Sequence, residues 1–267
     1  MSVEAAPREW QRFTPFVRLG RYAVYLVTVA AVVWAARSID IIVEFLYDAP
    51  AQTVDLFRRM WPFDWAIYPK EVHHALIETI HIATLGTLLS IGLAVPIALL
   101  AARNITQSRT LNLFATFLLV SSRSVNSLIW ALLFVAIFGP GALAGVLAIG
   151  FRSIGFVGKL LAEALEETPK GPIEALRATG APPASIFSKG YWPSVEPSFW
   201  SVALFRWDIN IRESAVLGLV GGGGIGVALE SALESLYWDQ VGLILAVIFA
   251  VVIVTEIVTT AIRARII

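Results

Sequence analysis

The sequence predicts an all-α, polytopic membrane protein with about six transmembrane helices, and three observations predict it. Of 267 residues, 57% are apolar and only 15% charged, a balance that leaves a soluble domain too little charged surface to show water. Apolar runs long enough to cross ~30 Å of hydrocarbon recur along the chain, near 22–42, 76–102, 112–138, 141–161, 195–220 and 240–262. The basic residues of the short connecting segments all fall on one side of those runs. The zero net charge names no partner, and no nucleic-acid partner is expected. Cysteine is absent, which excludes disulfides and thiol chemistry.

In chain order, residues 1–21 form a cytoplasmic segment carrying Arg8, Arg12, Arg18 and Arg21. The run YAVYLVTVAAVVWAA at 22–36 follows these charges as a signal-peptide core would, but no small-residue cleavage site precedes Arg37, so 22–42 reads as an uncleaved first helix. Residues 43–75 mix Asp, Arg and Trp with Pro50, Pro62 and Pro69, which suggests short amphipathic pieces on the outer membrane surface. Residues 76–267 hold five further spans. Arg103 and Arg109 follow the second span, Lys159, Lys170, Arg177 and Lys189 lie between the fourth and fifth, and Arg263 and Arg265 end the chain. The opposite loops, 139–140 and 221–239, contain no basic residue. Both termini are therefore expected to be cytoplasmic.

Residues 163–193 form the one long polar stretch between the later spans, and they read as two short helices joined by a turn. Pro172 suits a first helical position, Gly180 a left-handed residue after a helix end, and Pro182-Pro183 the start of a second arm.

Charges inside the apolar runs carry the functional reading. The fifth span contains Arg206, Asp208, Arg212 and Glu213, and four lipid-facing charges would cost about 10 kcal/mol or more. Arg206, Asn210 and Glu213 share one helical face; Asp208 and Arg212, four residues apart, lie roughly opposite. One face lines a solute path and the other docks on a neighbouring helix, with the assignment open at this level. Arg123 and Arg152 have no acidic residue nearby in their own helices, and Ser121, Ser122, Ser124, Asn126 and Ser127 make the middle of the third span polar. An intramembrane arginine offers charge-assisted hydrogen bonds suited to a carboxylate or a phosphorus oxyanion. The path candidates are thus Arg123, Asn126, Arg152, Arg206, Asn210, Arg212 and Glu213; satisfied ion pairs that merely hold the bundle are the alternative.

Gly221, Gly222, Gly223 and Gly224 read as a flexible or closely packed gate, since the Lys-Ser/Thr of a phosphate-binding loop is missing. His74, Glu78 and His81 share a helical face with ligand spacing, but with no second cluster they read as an interfacial polar face and no metal is expected. HExxH, GxSxG and any nucleotide-binding motif are absent, so no catalytic residue and no cofactor is expected in this chain. Transport driven by ATP needs another subunit to bind it.

The polar hairpin resembles the EAA loop of the permease subunits of ABC importers: Glu174, Ala175, Gly180 and Pro193 match in register, whereas Leu176, Gly190 and Trp192 depart from the pattern. A more specific likeness, over about residues 76–265, is to the permease of phosphonate and phosphite importers. It is carried by ETIHIATLGTLLSIGLAVPIALLAARN at 78–104, WALLFVAIFGPGALAGVLAIGFRSIGFVGKLLAEALE at 130–166, GPIEALRATGA at 171–181 and RWDINIRESAVLGLVGGGGIG at 206–226. That family has a proline after Arg-x-Ile in the third span, where this chain has Arg123-Ser124-Val125-Asn126, so local helix geometry is expected to differ. The resemblance implies a type I, MetI-like permease of a bacterial inner membrane, working as two copies in lipid with two ATP-binding ABC subunits and an external solute-binding protein. Mg-ATP would sit on the partner subunits, and the hairpin, with Glu174, Ala175, Arg177, Gly180 and Pro193, would couple to them. The cargo implied is a phosphonate or phosphite-like oxyanion. Another anion or an amino acid is the nearest alternative, and a stand-alone channel or secondary carrier a more distant one.

Overall fold

Small residues at close helical spacing let two long helices approach until their backbones nearly touch, and here they build the centre of the molecule. The computed structural model describes Phe13, residues 15–39 and residues 43–266. Arg8 and Arg12, and the end of the first expected span at 40–42, lie outside the described residues. The chain falls into two units, residues 1–55 and 56–267.

In the first unit, helix α1 (Pro15–Ser38) is apolar between Arg21 and Arg37, and residues 16–38 are exposed. Helix α2 (Val43–Arg59), amphipathic and containing Pro50, begins there and is the first piece of the 43–75 segment.

The second unit starts with a 3₁₀ turn (Trp65–Ile67) and a π turn (Tyr68–Val72) that lead into α3 (His73–Ala101). Then follow α4 (Arg109–Ser124), α5 (Ser127–Phe138), α6 (Ala142–Glu166), α7 (Lys170–Ala178), α8 (Pro183–Ile186), α9 (Trp192–Leu217), α10 (Ile225–Glu234) and α11 (Trp238–Ile266). The described residues contain no strand. Four helical segments are each long and apolar enough to cross a membrane, and the count reaches six when each of two bent pairs is taken as one span. One of those pairs corrects the expected third span: 112–138 is not one helix but α4 and α5 bent by 93° at residues 125–126. At 1.5 Å per residue, neither half alone covers ~30 Å.

Helix α6 is the hub, packed on α3, α4, α5 and α9. Alanine, isoleucine and leucine fill the layer between α3, α4, α6 and α9, with Ala94, Ala98, Leu119, Val157 and Leu165 almost fully buried. A Cβ on Gly155 would lie 2.2 Å from the Leu119 carbonyl oxygen, so α4 can cross α6 here only because the side chain is a hydrogen. Helices α10 and α11 close the other flank on α9 through Ile225, Val241, Leu243 and Ile244.

Candidate functional site

The break between α4 and α5 is written in the residues that flank it. Val125 (φ −94°, ψ 136°) and Asn126 (φ −66°, ψ 147°) are extended, and the Asn126 Oδ1 accepts the Leu128 N–H at 3.0 Å, capping α5. On the other side, Ser122 Oγ donates to the Phe151 carbonyl and accepts the Gly155 N–H at 3.2 Å, which pins α4 to α6 just before the turn. Arg123 is exposed in the last turn of α4, where a cation complements the helix dipole, and it has no carboxylate partner among the described residues.

Behind the break lies an ionic cluster that joins α3, α6 and α9. Arg206 is 3% exposed; its Nε donates to Ser153 Oγ at 2.8 Å, and its Nη2 lies 3.4 Å from both Glu213 oxygens. Ser153 Oγ donates to Asn210 Oδ1 at 3.1 Å, and Asn210 Nδ2 donates to Thr87 Oγ1 at 2.7 Å. Arg152, with no acidic neighbour in its own helix, takes its partner from a different one: its Nη1 is bonded to Glu213 Oε1. Asp208 and Arg212 pair along α9, and the Asp208 carboxylate is buried with its Oδ1 left without a hydrogen bond.

The sequence-predicted path residues divide into three groups. Asn126, Arg152, Arg212 and Glu213 line one cleft of about 350 Å³, together with Ser127 and Leu128. Arg206 and Asn210 are buried behind it and hold its wall. Arg123 does not line it. Both polar faces of α9 thus meet at 212–213, one through the buried network on α3 and α6, the other through Arg212 with Asp208 behind it. Ser127 on the wall, and Ser153 and Thr87 in the network, were not among the predicted site residues. A hydroxyl directly following Arg152 in an otherwise apolar helix was the available signal for Ser153.

Two guanidinium groups and one carboxylate line the cleft, which leaves it with an excess of positive charge. Two guanidinium groups converge with the N-terminal end of α5, whose backbone N–H groups carry partial positive charge. Such an arrangement favours an anion with several acceptor oxygens.

At the end of α9 the glycines make a packed junction. The Gly141 N–H donates to the Gly221 carbonyl at 2.9 Å, and the Ile225 N–H donates to Thr79 Oγ1 at 2.7 Å. Gly224 has φ +74°, and a Cβ there would lie 2.5 Å from Thr79 Oγ1. Gly221, Gly223 and Gly224 line a larger cleft of about 740 Å³ with Glu71, His74, Glu78 and Glu230. No group of three metal-ligating side chains occurs among the described residues.

At the opposite end of α6 stands the polar hairpin. Helix α7 starts at Lys170, so Pro172 is its third residue and not its first. It ends with Gly180 at φ +72°, where the Gly180 N–H reaches the Arg177 carbonyl at 3.0 Å and the Ala181 N–H the Leu176 carbonyl at 3.2 Å, a Schellman cap. Pro182 and Pro183 open the second arm. That arm is not a separate helix: after α8 a π turn (Phe187–Tyr191) runs straight into α9, placing Pro193 in the first turn of α9. Ile173 and Tyr191 are buried in the core beneath the hairpin, and Glu174, Ala175, Arg177, Gly180 and Pro193 are exposed.

Residues 94–267 match the family described as the binding-protein-dependent transport system inner membrane component. The chain belongs to that family. The matched region starts within α3 and contains the residues lining the smaller cleft, the glycines of the junction and the hairpin. Among relatives of this inner-membrane component, the phosphite transport system permease protein PtxC of Stutzerimonas stutzeri is 36% identical over 239 residues, which cover 90% of this chain and 86% of the relative. The phosphate-import permease protein PhnE of Mycolicibacterium smegmatis is 38% identical over 233 residues, covering 87% of this chain but 44% of that longer protein. In solved structures, the fold matches a chain of the MetNI methionine ABC transporter in an inward-facing conformation, with TM-score 0.62, 20% identity, and coverage of 73% of this chain and 96% of that one. It also matches a chain of a bacterial ABC transporter involved in import of the acidic polysaccharide alginate, with TM-score 0.62, 13% identity, and coverage of 94% and 98%. The inner-membrane component is therefore all-helical and multi-pass, with the fold of ABC transporter permeases.

Proposed function

We propose that the chain is the transmembrane permease subunit of an ATP-driven importer and passes a phosphite or phosphonate-like oxyanion through the cleft between α5, α6 and α9. The observation that carries this reading is the convergence of Arg152, Arg212 and the N-terminal end of α5 on one cavity. The relatives' names, phosphite transport and phosphate import, point to oxyanions of the class such a cavity suits.

Exposure supports a partner across the same surface. The Arg212 side chain is 46% exposed, and Arg123 and Asn126 are exposed nearby in sequence and in the bend. Each such cation facing hydrocarbon would cost about 2.5–3.5 kcal/mol, so this face looks onto water or onto a second copy of the chain. Two copies about a twofold axis would enclose a shared path and double its arginines. The exposed hairpin residues Glu174, Ala175, Arg177 and Gly180 offer a surface for an ATP-binding subunit that carries Mg-ATP. An external binding protein would deliver the solute at the glycine end, and closure of the ATP-binding subunits would move the hairpins and switch the access of the cleft. Nothing in the fold favours a channel working alone, because the hairpin would then be an exposed device without a task.

The test is uptake of labelled phosphite by the assembled complex. Arg152→Leu and Arg123→Leu are expected to depress uptake at least about tenfold for Arg152 and less for Arg123, which lies outside the cleft, while the complex still assembles. Undiminished uptake in both variants would remove the anion path.

A further inference from the structure

We infer that Glu213 is a resident counter-ion of the cleft: it occupies Arg152 while the path is empty, yields Arg152 to the arriving oxyanion, and is kept in place meanwhile by Arg206. This deepens the anion-path reading and rests on it.

The two arginines that share Glu213 are held very differently. Arg206 is 3% exposed, with its Nε on Ser153 Oγ at 2.8 Å and its guanidinium 5.5 Å from the centre of the Phe156 ring. Ser153 is itself locked through Asn210 to Thr87. Arg206 therefore cannot leave, and a buried guanidinium needs its carboxylate. Arg152 is 27% exposed on the cleft wall, its Nε finds no hydrogen-bond partner, and Glu213 alone holds it among the described residues. Glu213 is thus a permanent partner of Arg206 and an exchangeable partner of Arg152.

Charge counting agrees. Arg152, Arg206 and Glu213 together carry one excess positive charge, while Arg212 is balanced by Asp208. When an anionic oxygen takes the place of Glu213 Oε1 on Arg152 Nη1, the Arg206–Glu213 pair stays neutral and the anion neutralises the remaining guanidinium. The charge-assisted bond lost inside the protein is replaced by one of the same kind to the solute. An anion must therefore compete with a carboxylate already in place, so the cleft binds weakly enough to release what enters it, and a doubly charged oxyanion displaces that carboxylate better than a halide does.

The test uses the assembled importer complex in lipid nanodiscs without binding protein, with equilibrium dialysis of labelled inorganic phosphite. Glu213→Gln is expected to lower the half-saturating phosphite concentration roughly tenfold while slowing ATP-driven uptake. Because that variant strips Arg206 of its counter-ion, the double variant Arg206→Met with Glu213→Gln removes the buried charge and its partner together, and it is expected to show the same tightening. Adding Arg152→Leu to either variant should abolish the gain. An unchanged or raised half-saturating concentration in the double variant, eluting as the intact complex, overturns the counter-ion role and leaves the path reading standing. Uptake unaffected by either Arg152→Leu or Arg123→Leu in the otherwise natural chain overturns both.

Discussion

Asn126 decides where the third membrane segment turns. Its φ of −66° is the value that a proline ring imposes, and its side chain supplies the cap that a proline cannot, by accepting the Leu128 N–H. Asparagine thus stands where the phosphonate and phosphite permeases that the chain resembles carry proline, with a side-chain cap in place of the ring. Asn126→Ala is expected to lower unfolding stability of the purified complex by about 1 kcal/mol and to cut uptake, because it frees the α5 end that lines the cleft. Asn126→Pro is expected to retain the bend and most of the uptake; a complete loss of uptake in the proline variant, with the complex intact, would show that the side-chain oxygen acts on solute and not on the helix.

At this scale the sequence disclosed unequal amounts. Asn126 and its neighbouring serines were legible as polar residues, but an asparagine in the middle of an apolar run reads equally as a residue facing a cavity and as a helix cap. The structure makes it both, since its Oδ1 accepts the Leu128 N–H and the residue lines the cleft. The Arg152–Glu213 pair was not legible because its members are 61 residues apart on different helices. The Asp208–Arg212 pair, four apart on one helix, followed from the helical period alone.

Among the elements, the hairpin shows how much local chemistry can fix. Gly180 was readable as the left-handed end of α7, and its two capping bonds depend on that conformation. The continuity of the second arm with α9 was less readable, because Gly190 and Pro193 look like breakers in sequence. Gly190 instead sits against Ile173 and Leu176, where a Cβ would lie 3.2 Å from Leu176 Cδ1, and Pro193 falls in a first turn, where its missing N–H costs nothing. An alanine at position 180 must adopt a left-handed backbone at a cost of roughly 1–2 kcal/mol, enough to change the angle between the arms. Gly180→Ala is therefore expected to uncouple the complex: ATP hydrolysis continues while labelled phosphite uptake falls severalfold, and Gly180→Asn, which tolerates that conformation, is expected to keep both together. Equal coupling in the alanine variant and the natural chain would deny the hairpin its role.

For the whole molecule, the distribution of basic residues makes a claim that helix packing cannot make, since the bundle would fold identically in either orientation. Lys170, Arg177 and Lys189 on the hairpin, with Arg103, Arg109, Arg263 and Arg265, mark one side, while the segment 221–239 carries Glu230, Glu234 and Asp239 and no Lys or Arg. Short loops rich in Lys and Arg stay in the cytoplasm, which predicts a cytoplasmic hairpin and cytoplasmic termini, with the glycine junction facing outward. The absence of cysteine makes this directly measurable, because a single introduced thiol is the only one in the chain. Ser188 on the hairpin and Ser235 after α10 are both exposed, and they lie at opposite ends of the bundle. In intact cells, a membrane-impermeant maleimide is expected to label Ser235→Cys and to spare Ser188→Cys; in inverted vesicles the pattern reverses. Labelling of Ser188→Cys from outside would place the hairpin away from any cytoplasmic ATP-binding subunit, and the importer reading would fall with it even if the cleft proved to bind anions.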